Sequence, residues 1–324
     1  MRSEILNLLA CQPEKYVSGE AISQTLNITR AAVWKQIQSL RESGYEIEAQ
    51  TKKGYRLVKT PLSLEEWVLK QGLKTQKLGR KIFCFDELSS TNGIAKTLIQ
   101  QGVEGGAVIL ARRQTAGRGR MQRVWESPEG GIWMTVILKP QLSLADAAKL
   151  TLSTGVALAH ACRELYGFEA QMKWPNDLVY QGKKIAGILG EVVGEWNTVQ
   201  TLILGVGINA NLDRKDLSPN IPATTLKQIV GHPVNLNDLV IAFLEALESE
   251  VESLEKGDIE GLRERWLAYA AGLGTEVQVE RAGQVFKGIF QGISTNGELV
   301  LEVNHWEQLF SSGDVRLRSL DGYI

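Results

Sequence analysis

The sequence predicts an α+β chain of several domains. Three observations support this. The first 60 residues carry helical apolar spacing that ends in a basic-tipped pair of strands. Residues from about 80 to 270 mix strand-like and helix-like segments without strict alternation. From 274 onward short strands alternate with glycine turns. A chain of 324 residues also exceeds one ordinary core, so two or three domains are expected.

The first segment opens with helical spacing through Ile5, Leu8 and Leu9, and a second short helix fits 18–26 with Ile22 and Leu26 inward. Thr29 is then an N-cap, with Ile28 placed to staple onto Val33. Val33, Ile37 and Leu40 make one apolar stripe. After Gly44, YEIEAQTKKGYRLV reads as two strands around a Lys-Lys-Gly turn. Three helices and a hairpin make a winged helix-turn-helix, whose third helix enters a major groove N-terminus first. Thr29, Arg30, Ala32, Trp34, Lys35 and Gln38 are the candidate base-edge contacts, and Lys52, Lys53 and Arg56 the candidate phosphate contacts. The alternative is a winged helix used only for protein contacts or as a lid. Charge agrees weakly with DNA: residues 1–60 hold nine Lys/Arg against six Asp/Glu, leaving 27 against 31 elsewhere.

Pro61 ends the wing, and Ser63 with Glu66 forms a capping box, which sets the first domain at 1–63. A central domain follows at 64–272. Its strands fit 81–86, 106–113, 131–138, 170–174, 184–193 and 198–207. Its helices fit 90–101, 143–166, 235–256 and 258–270. The short connection GEWN argues for antiparallel pairing of 184–193 with 198–207. Residues 273–324 hold about five strands, with turns at Ala282–Gly283, Asn296–Gly297 and Gly313–Asp314, and read as a small SH3-like β-barrel.

Some classes are disfavoured. The most apolar runs, such as GIWMTVIL, are strand-length, and the start has too short an apolar stretch for a signal peptide, so no membrane association is expected. Cys11, Cys84 and Cys162 are scattered, with neither disulfide nor metal spacing, which favours a reducing, cytoplasmic setting. His160 sits in an apolar helix and reads as a core residue; His232 and His305 read as surface. No metal cluster and no Ser/His/Asp order is evident.

Four segments carry chemistry. T-A-G-R-G-R-M-Q-R-V-W, residues 115–125, pairs two glycines with Arg118, Arg120 and Arg123, a combination suited to carboxylate and polyphosphate. It lacks the spacing of a Walker loop. K-W-P-N-D, residues 173–177, is a rigid turn that presents Lys173, Asn176 and Asp177. Lys184 follows on a strand, with Gly187 leaving room beside it. A lysine suits negative charge building at a phosphoryl centre, and a nearby aspartate suits an incoming amine. L-G-V-G-I-N-A-N, residues 204–211, runs into a polar, proline-bearing stretch, so it reads as a ligand-closing loop rather than a dinucleotide fingerprint. S-S-T-N, residues 89–92, offers hydroxyls and amides at a strand-to-helix junction. Taken alone, it and P-N-D are also ordinary caps and turns.

In this order, G-R-G-R from Gly117, K-W-P-N-D from Lys173, K-I-A-G-I-L from Lys184 and G-V-G-I-N from Gly205 resemble the biotin–protein ligases. The likeness is to the bifunctional bacterial ligase and biotin-operon repressor, and it spans nearly the whole chain. It implies a class II synthetase-like α+β ligase domain and a two-step reaction. Biotin's carboxylate attacks the α-phosphate of ATP, with Mg2+. The biotinyl-5′-AMP formed then acylates a lysine of biotin carboxyl carrier protein. By position, Ser90, Thr91, Gln114, Gly117, Arg118, Arg120, Lys184 and Gly187 are similar to a biotin pocket. Arg120, Trp125, Lys173, Asn176, Lys184 and Asn209 are similar to residues around ATP and the adenylate. Lys184, Arg118, Arg120 and Asp177 would be catalytic, and the loop near 212–223 would fold over the adenylate. The resemblance also implies that the adenylate acts as corepressor, favouring a homodimer that binds biotin operator DNA. One departure is Gln122, where the family usually shows glycine. Three alternatives stay open: a lipoate–protein ligase, a pure regulator with a degenerate sensor domain, and a ligase whose head no longer represses.

Overall fold

The computed structural model describes all residues except 12–13, 144–145, 147–148, 194–200, 220, 282, 313–314 and 320–324. The chain forms two compact units, Met1–Gln71 and Gly72–Ile324.

In the first unit, α1 (Arg2–Ala10), α2 (Gly19–Leu26) and α3 (Arg30–Glu42) bury Ile5, Leu9, Ile22, Val33, Ile37 and Leu40 in one core. Side-chain caps start α2 and α3: Ser18 Oγ accepts from Ala21 N at 3.0 Å, and Thr29 Oγ1 from Ala32 N at 3.1 Å. Strands β1 (Glu46–Gln50) and β2 (Gly54–Lys59) form the antiparallel wing, whose turn places Lys52 at φ 69°. The division falls after Gln71 rather than at residue 63. The reason is α4 (Glu66–Gly72): Trp67 packs on the head core and donates to Asn7 Oδ1 at 2.7 Å.

The second unit is built on a seven-stranded sheet. Its strands are β3 (Ile82–Leu88), β4 (Val108–Gln114), β5 (Ile132–Leu138), β6 (Gln171–Lys173), β7 (Asp177–Tyr180), β8 (Lys183–Val193) and β9 (Thr201–Ile208). The spatial order is β3-β4-β5-β9-β8-β7-β6. Among the described residues β3–β4 is the one parallel strand pair of this sheet, joined by α5 (Thr91–Gln100) as a crossover. β8 and β9 pair antiparallel as the short connection suggests, though residues 194–197 themselves lie outside the described residues. Three further long helices complete the layer: α6 (Lys149–Tyr166), then, after a five-residue helix α7 (Leu226–Val230), α8 (Leu236–Glu255) and α9 (Ile259–Ala268). α6 is buried along most of its length, as a helix wedged between a sheet and α8 must be. His160 is a correction: it lies on the exposed side of α6, with its ring 3.4 Å from Arg163 Nη2.

The last strands, β10 (Glu276–Arg281), β11 (Gln284–Ile293), β12 (Leu299–Val303), β13 (Trp306–Phe310) and β14 (Val315–Ser319), form an antiparallel sheet ordered β13-β12-β11-β10-β14. Among the described residues no pairing joins β13 to β14, so the expected closed barrel is here a five-stranded sheet with two edges. Gly297 takes φ 78° at the expected Asn296–Gly297 turn; Ala282 and Gly313–Asp314 lie outside the described residues. The sheet packs on the ligase layer through Phe290 edge-on to Trp266, and Trp174 Nε1 donates to Gly297 O at 3.1 Å. No helix among the described residues is long and apolar enough to cross a membrane.

Candidate active site

One cavity of about 540 Å³ opens over the middle of the seven-stranded sheet. Its floor is bare backbone. Gly187 on β8 and Gly207 on β9 face each other in register, and the Trp125 indole lies across them. A Cβ on Gly187 would stand 2.9 Å from Trp125 Cζ3, and one on Gly207 2.7 Å from Trp125 Nε1. A side chain at either position would therefore displace the ring. That Nε1 is buried with no hydrogen-bond partner among the described residues.

One wall comes from the β3–α5 junction and β4. Ser90 caps α5 by accepting from Gly93 N at 3.4 Å. Thr91 donates twice to Gln114 Oε1, from N at 2.7 Å and Oγ1 at 3.0 Å. Gln114 Nε2 in turn donates to Ser127 Oγ at 2.9 Å, so the amide's orientation is fixed by its neighbours. Gly117 lies behind this wall: a Cβ there would meet Trp125 O at 2.4 Å, and Trp125 N donates to Gly117 O at 3.0 Å.

The charged wall is made by Arg118, Arg120, Asn176, Asp177 and Lys184, all lining the cavity. Arg118 is exposed and donates to Gln122 Oε1 at 3.2 Å. Arg120 donates to Asn176 Oδ1 at 3.3 Å and to Ser312 O of the C-terminal sheet. Asn176 is anchored by its own bond to Ile188 O at 2.8 Å. Lys184 Nζ sits 2.6 Å from Asp177 Oδ1 and 4.8 Å from the Trp125 ring centroid. Both charged side chains are largely buried, at 12% and 14% exposure, so the pair meets where water is scarce.

Three expected residues do not line this cavity: Gly117, already placed behind the wall, Lys173 and Asn209. Lys173 is buried on β6, in register with Asp177. Burial pushes its ammonium down to about 7; Asp177 opposes the shift, while Arg318, Lys184 and Arg123 add repulsion. Asn209 is buried beneath β8, with N bonded to Ile185 O at 2.8 Å and Nδ2 reaching Lys184 O at 3.5 Å. Part of the expected closing loop does reach the site. Ser218, Ile221 and Pro222 line it, and Lys184 N donates to Pro222 O at 2.8 Å; residue 220 lies outside the described residues.

Sequence reasoning missed Asn92, Glu126 and Arg318. Asn92 stands in the quoted S-S-T-N, so the signal was present. Its Nδ2 donates to Glu191 Oε2 at 2.7 Å and its Oδ1 accepts from Thr135 at 2.6 Å. Arg318 arrives from β14, and no local pattern marks it.

On the head, Thr29 caps α3, and Arg30, Trp34 and Lys35 are exposed along it, Trp34 by 57%. Ala32 and Gln38 are half-buried; Lys52 and Lys53 are exposed on the wing. Arg56 is half-buried and has partners within the wing. Its Nη2 is 2.8 Å from Glu48 Oε2 and its guanidinium stacks 5.1 Å over Tyr16, so it braces the wing. Glu48 is held below the usual carboxylate range, first by the Tyr16 hydroxyl and then by Arg56.

Comparison with known proteins identifies the domains. Residues 84–209 match the biotin/lipoate A/B protein ligase family, residues 2–56 an HTH domain, and residues 272–318 the biotin protein ligase C-terminal domain. The bifunctional ligase/repressor BirA of Bacillus subtilis is 37% identical over 98% of both chains. The biotin–[acetyl-CoA-carboxylase] ligase of Paracoccus denitrificans is 33% identical over 70% of this chain and 96% of its own. The biotin protein ligase from Aquifex aeolicus, solved in complex with biotin and ATP, superposes with a TM-score of 0.65 at 27% identity, covering 74% of this chain and 99% of that one. An arginine-lined cavity on a biotin-ligase layer, preceded by a helix-turn-helix head, thus places the chain in the biotin–protein ligase family, among its bifunctional ligase/repressors.

Proposed function

We propose that the cavity over Gly187 and Gly207 is where biotin is activated and then handed on. Ser90, Thr91 and Gln114 hold the polar head of the acid, and the apolar floor takes its chain. Arg118 and Arg120 draw the carboxylate and the phosphates together. Lys184 faces the α-phosphate, where negative charge builds as the carboxylate oxygen bonds to phosphorus and pyrophosphate leaves. Magnesium enters with ATP as part of that substrate. In the second step the acceptor lysine's amine attacks the acyl carbon, AMP leaves, and Asp177 receives the amine's proton directly or through water. Trp125 and Asn176 border the adenylate; Lys173 and Asn209 act from behind the wall. Ser218, Ile221 and Pro222 belong to the loop that closes over it.

The acceptor in this reading is a biotin carboxyl carrier protein. The head reads biotin operator DNA through α3, and the adenylate favours a homodimer that presents two heads. The setting is cytoplasmic, where ATP, carrier and chromosome meet. The C-terminal strands form an SH3-like unit, with β13 and β14 not paired to each other among the described residues.

The observation that carries the proposal is that Lys184, Arg118 and Arg120 share one cavity with Ser90, Thr91 and Gln114. The test is transfer of labelled biotin, with ATP, to a carrier domain. Stable label on the carrier lysine is expected; pyrophosphate exchange driven by lipoate but not by biotin would overturn the substrate assignment. For the head, a gel shift with the biotin-operon promoter should strengthen on adding biotinyl-5′-AMP, and indifference to the adenylate would remove the corepressor role.

A further inference from the structure

The segment carrying Arg118 and Arg120 reverses direction at Met121 and Gln122, both left-handed, with φ 55° and 57°. Neither is glycine, and consecutive left-handed L residues carry strain that other contacts must offset. Two backbone bonds stitch the reversal: Gly119 N to Arg123 O at 2.8 Å and Arg123 N to Arg120 O at 3.3 Å. The third stitch is a side chain. Gln122 Oε1 accepts from Arg118 Nη1 at 3.2 Å, and of these two residues only Arg118 lines the cavity.

We propose that Gln122 is a positioning residue for capture of the carboxylic acid. Its amide oxygen holds the Arg118 guanidinium at the cavity wall before the ligand arrives. The amide is neutral, so it aims the guanidinium without cancelling its charge. An arriving carboxylate is the stronger partner and takes over the remaining N–H groups. An exposed arginine left free in solvent would lose rotamer entropy on binding; one already held loses less. The effect therefore falls on acid capture and not on bond making. This rests on Arg118 contacting the acid, as proposed above.

The experiment measures KM for biotin and kcat in biotin-dependent ATP–pyrophosphate exchange. It uses the full chain with Gln122→Ala, Gln122→Asn, Arg118→Ala and the Gln122→Ala/Arg118→Ala double variant. Asparagine tolerates the left-handed backbone but is one methylene too short to reach Arg118, so it separates strain from the clasp. Both Gln122 variants should raise KM about threefold to tenfold and leave kcat within about twofold. The double variant should match Arg118→Ala. A wild-type KM for Gln122→Asn, a loss expressed in kcat, or full additivity in the double variant would each overturn the proposal. A wild-type KM for Arg118→Ala is a different failure, of the acid-site assignment itself.

Discussion

Lys184 Nζ and Asp177 Oδ1 meet at 2.6 Å across neighbouring strands β7 and β8, on the wall of the sheet surface paved by the opposed glycines Gly187 and Gly207. In the proposed reaction one group serves the phosphoryl charge and the other the amine.

Replacing them should separate the two half-reactions. Lys184→Ala is expected to slow adenylate formation about 100-fold or more. Asp177→Asn should slow acyl transfer about 100-fold while costing adenylate formation much less. Single-turnover assays, one from ATP plus biotin and one from preformed adenylate, read the two steps apart. Equal losses in both steps for Asp177→Asn would take it out of the transfer role.

Gly207→Ala puts a methyl where the Trp125 indole lies. The strand tolerates alanine, so the fold should persist with at most about 1–3 kcal/mol of overpacking. The near-UV circular dichroism should change as the ring is expelled, and KM for biotin should rise. Trp125→Ala in the same background removes the clash, so the double variant should be no worse than Trp125→Ala alone. Additive losses would mean that the two residues do not meet.

Lys173 makes stability depend on pH in a definite direction. Burial holds it near 7 in the fold, whereas an unfolded lysine titrates near about 10.4. Between these values the unfolded chain binds more protons, so this group makes stability rise with pH from about 7 upward and adds no slope below it. Lys173→Met should flatten that rise in urea titrations at pH 7, 8 and 9. Polyphosphate nearby should restore the charge, so ATP binding near pH 7.5 should take up protons. Calorimetry in buffers of different ionisation heat measures this; proton release would contradict it.

Arg30→Ala on the head should weaken operator binding by at least about tenfold and leave biotin transfer unchanged. Gel shifts and transfer assays on the same preparation test it. Loss of both activities would show that the head is not energetically separate.

Much of the layer was legible because its strands are short apolar runs bounded by turn residues. Lys183–Val193 and Thr201–Ile208 fall within three residues of their expected limits, and α5, α8 and α9 start one residue from theirs. The arginine loop and the Lys184 strand were legible because glycine and cation spacing is local. What stayed hidden is long-range. The parallel β3–β4 pairing needs a crossover that no single window shows. Arg318 reaches the cavity from a strand far along the chain. The pairing of Arg56 with Glu48 and Tyr16 forms only once the hairpin folds, so no local window shows it. The burial of Lys173 does not announce itself in the motif.

The bond from Arg120 to the carbonyl of Ser312 ties the reactive segment to the end of the chain. The terminal strands are therefore a buttress and not an ornament. A chain cut short after β12 would leave the cavity's floor whole and keep the Arg120 bond to Asn176, while the bond to Ser312 would be lost.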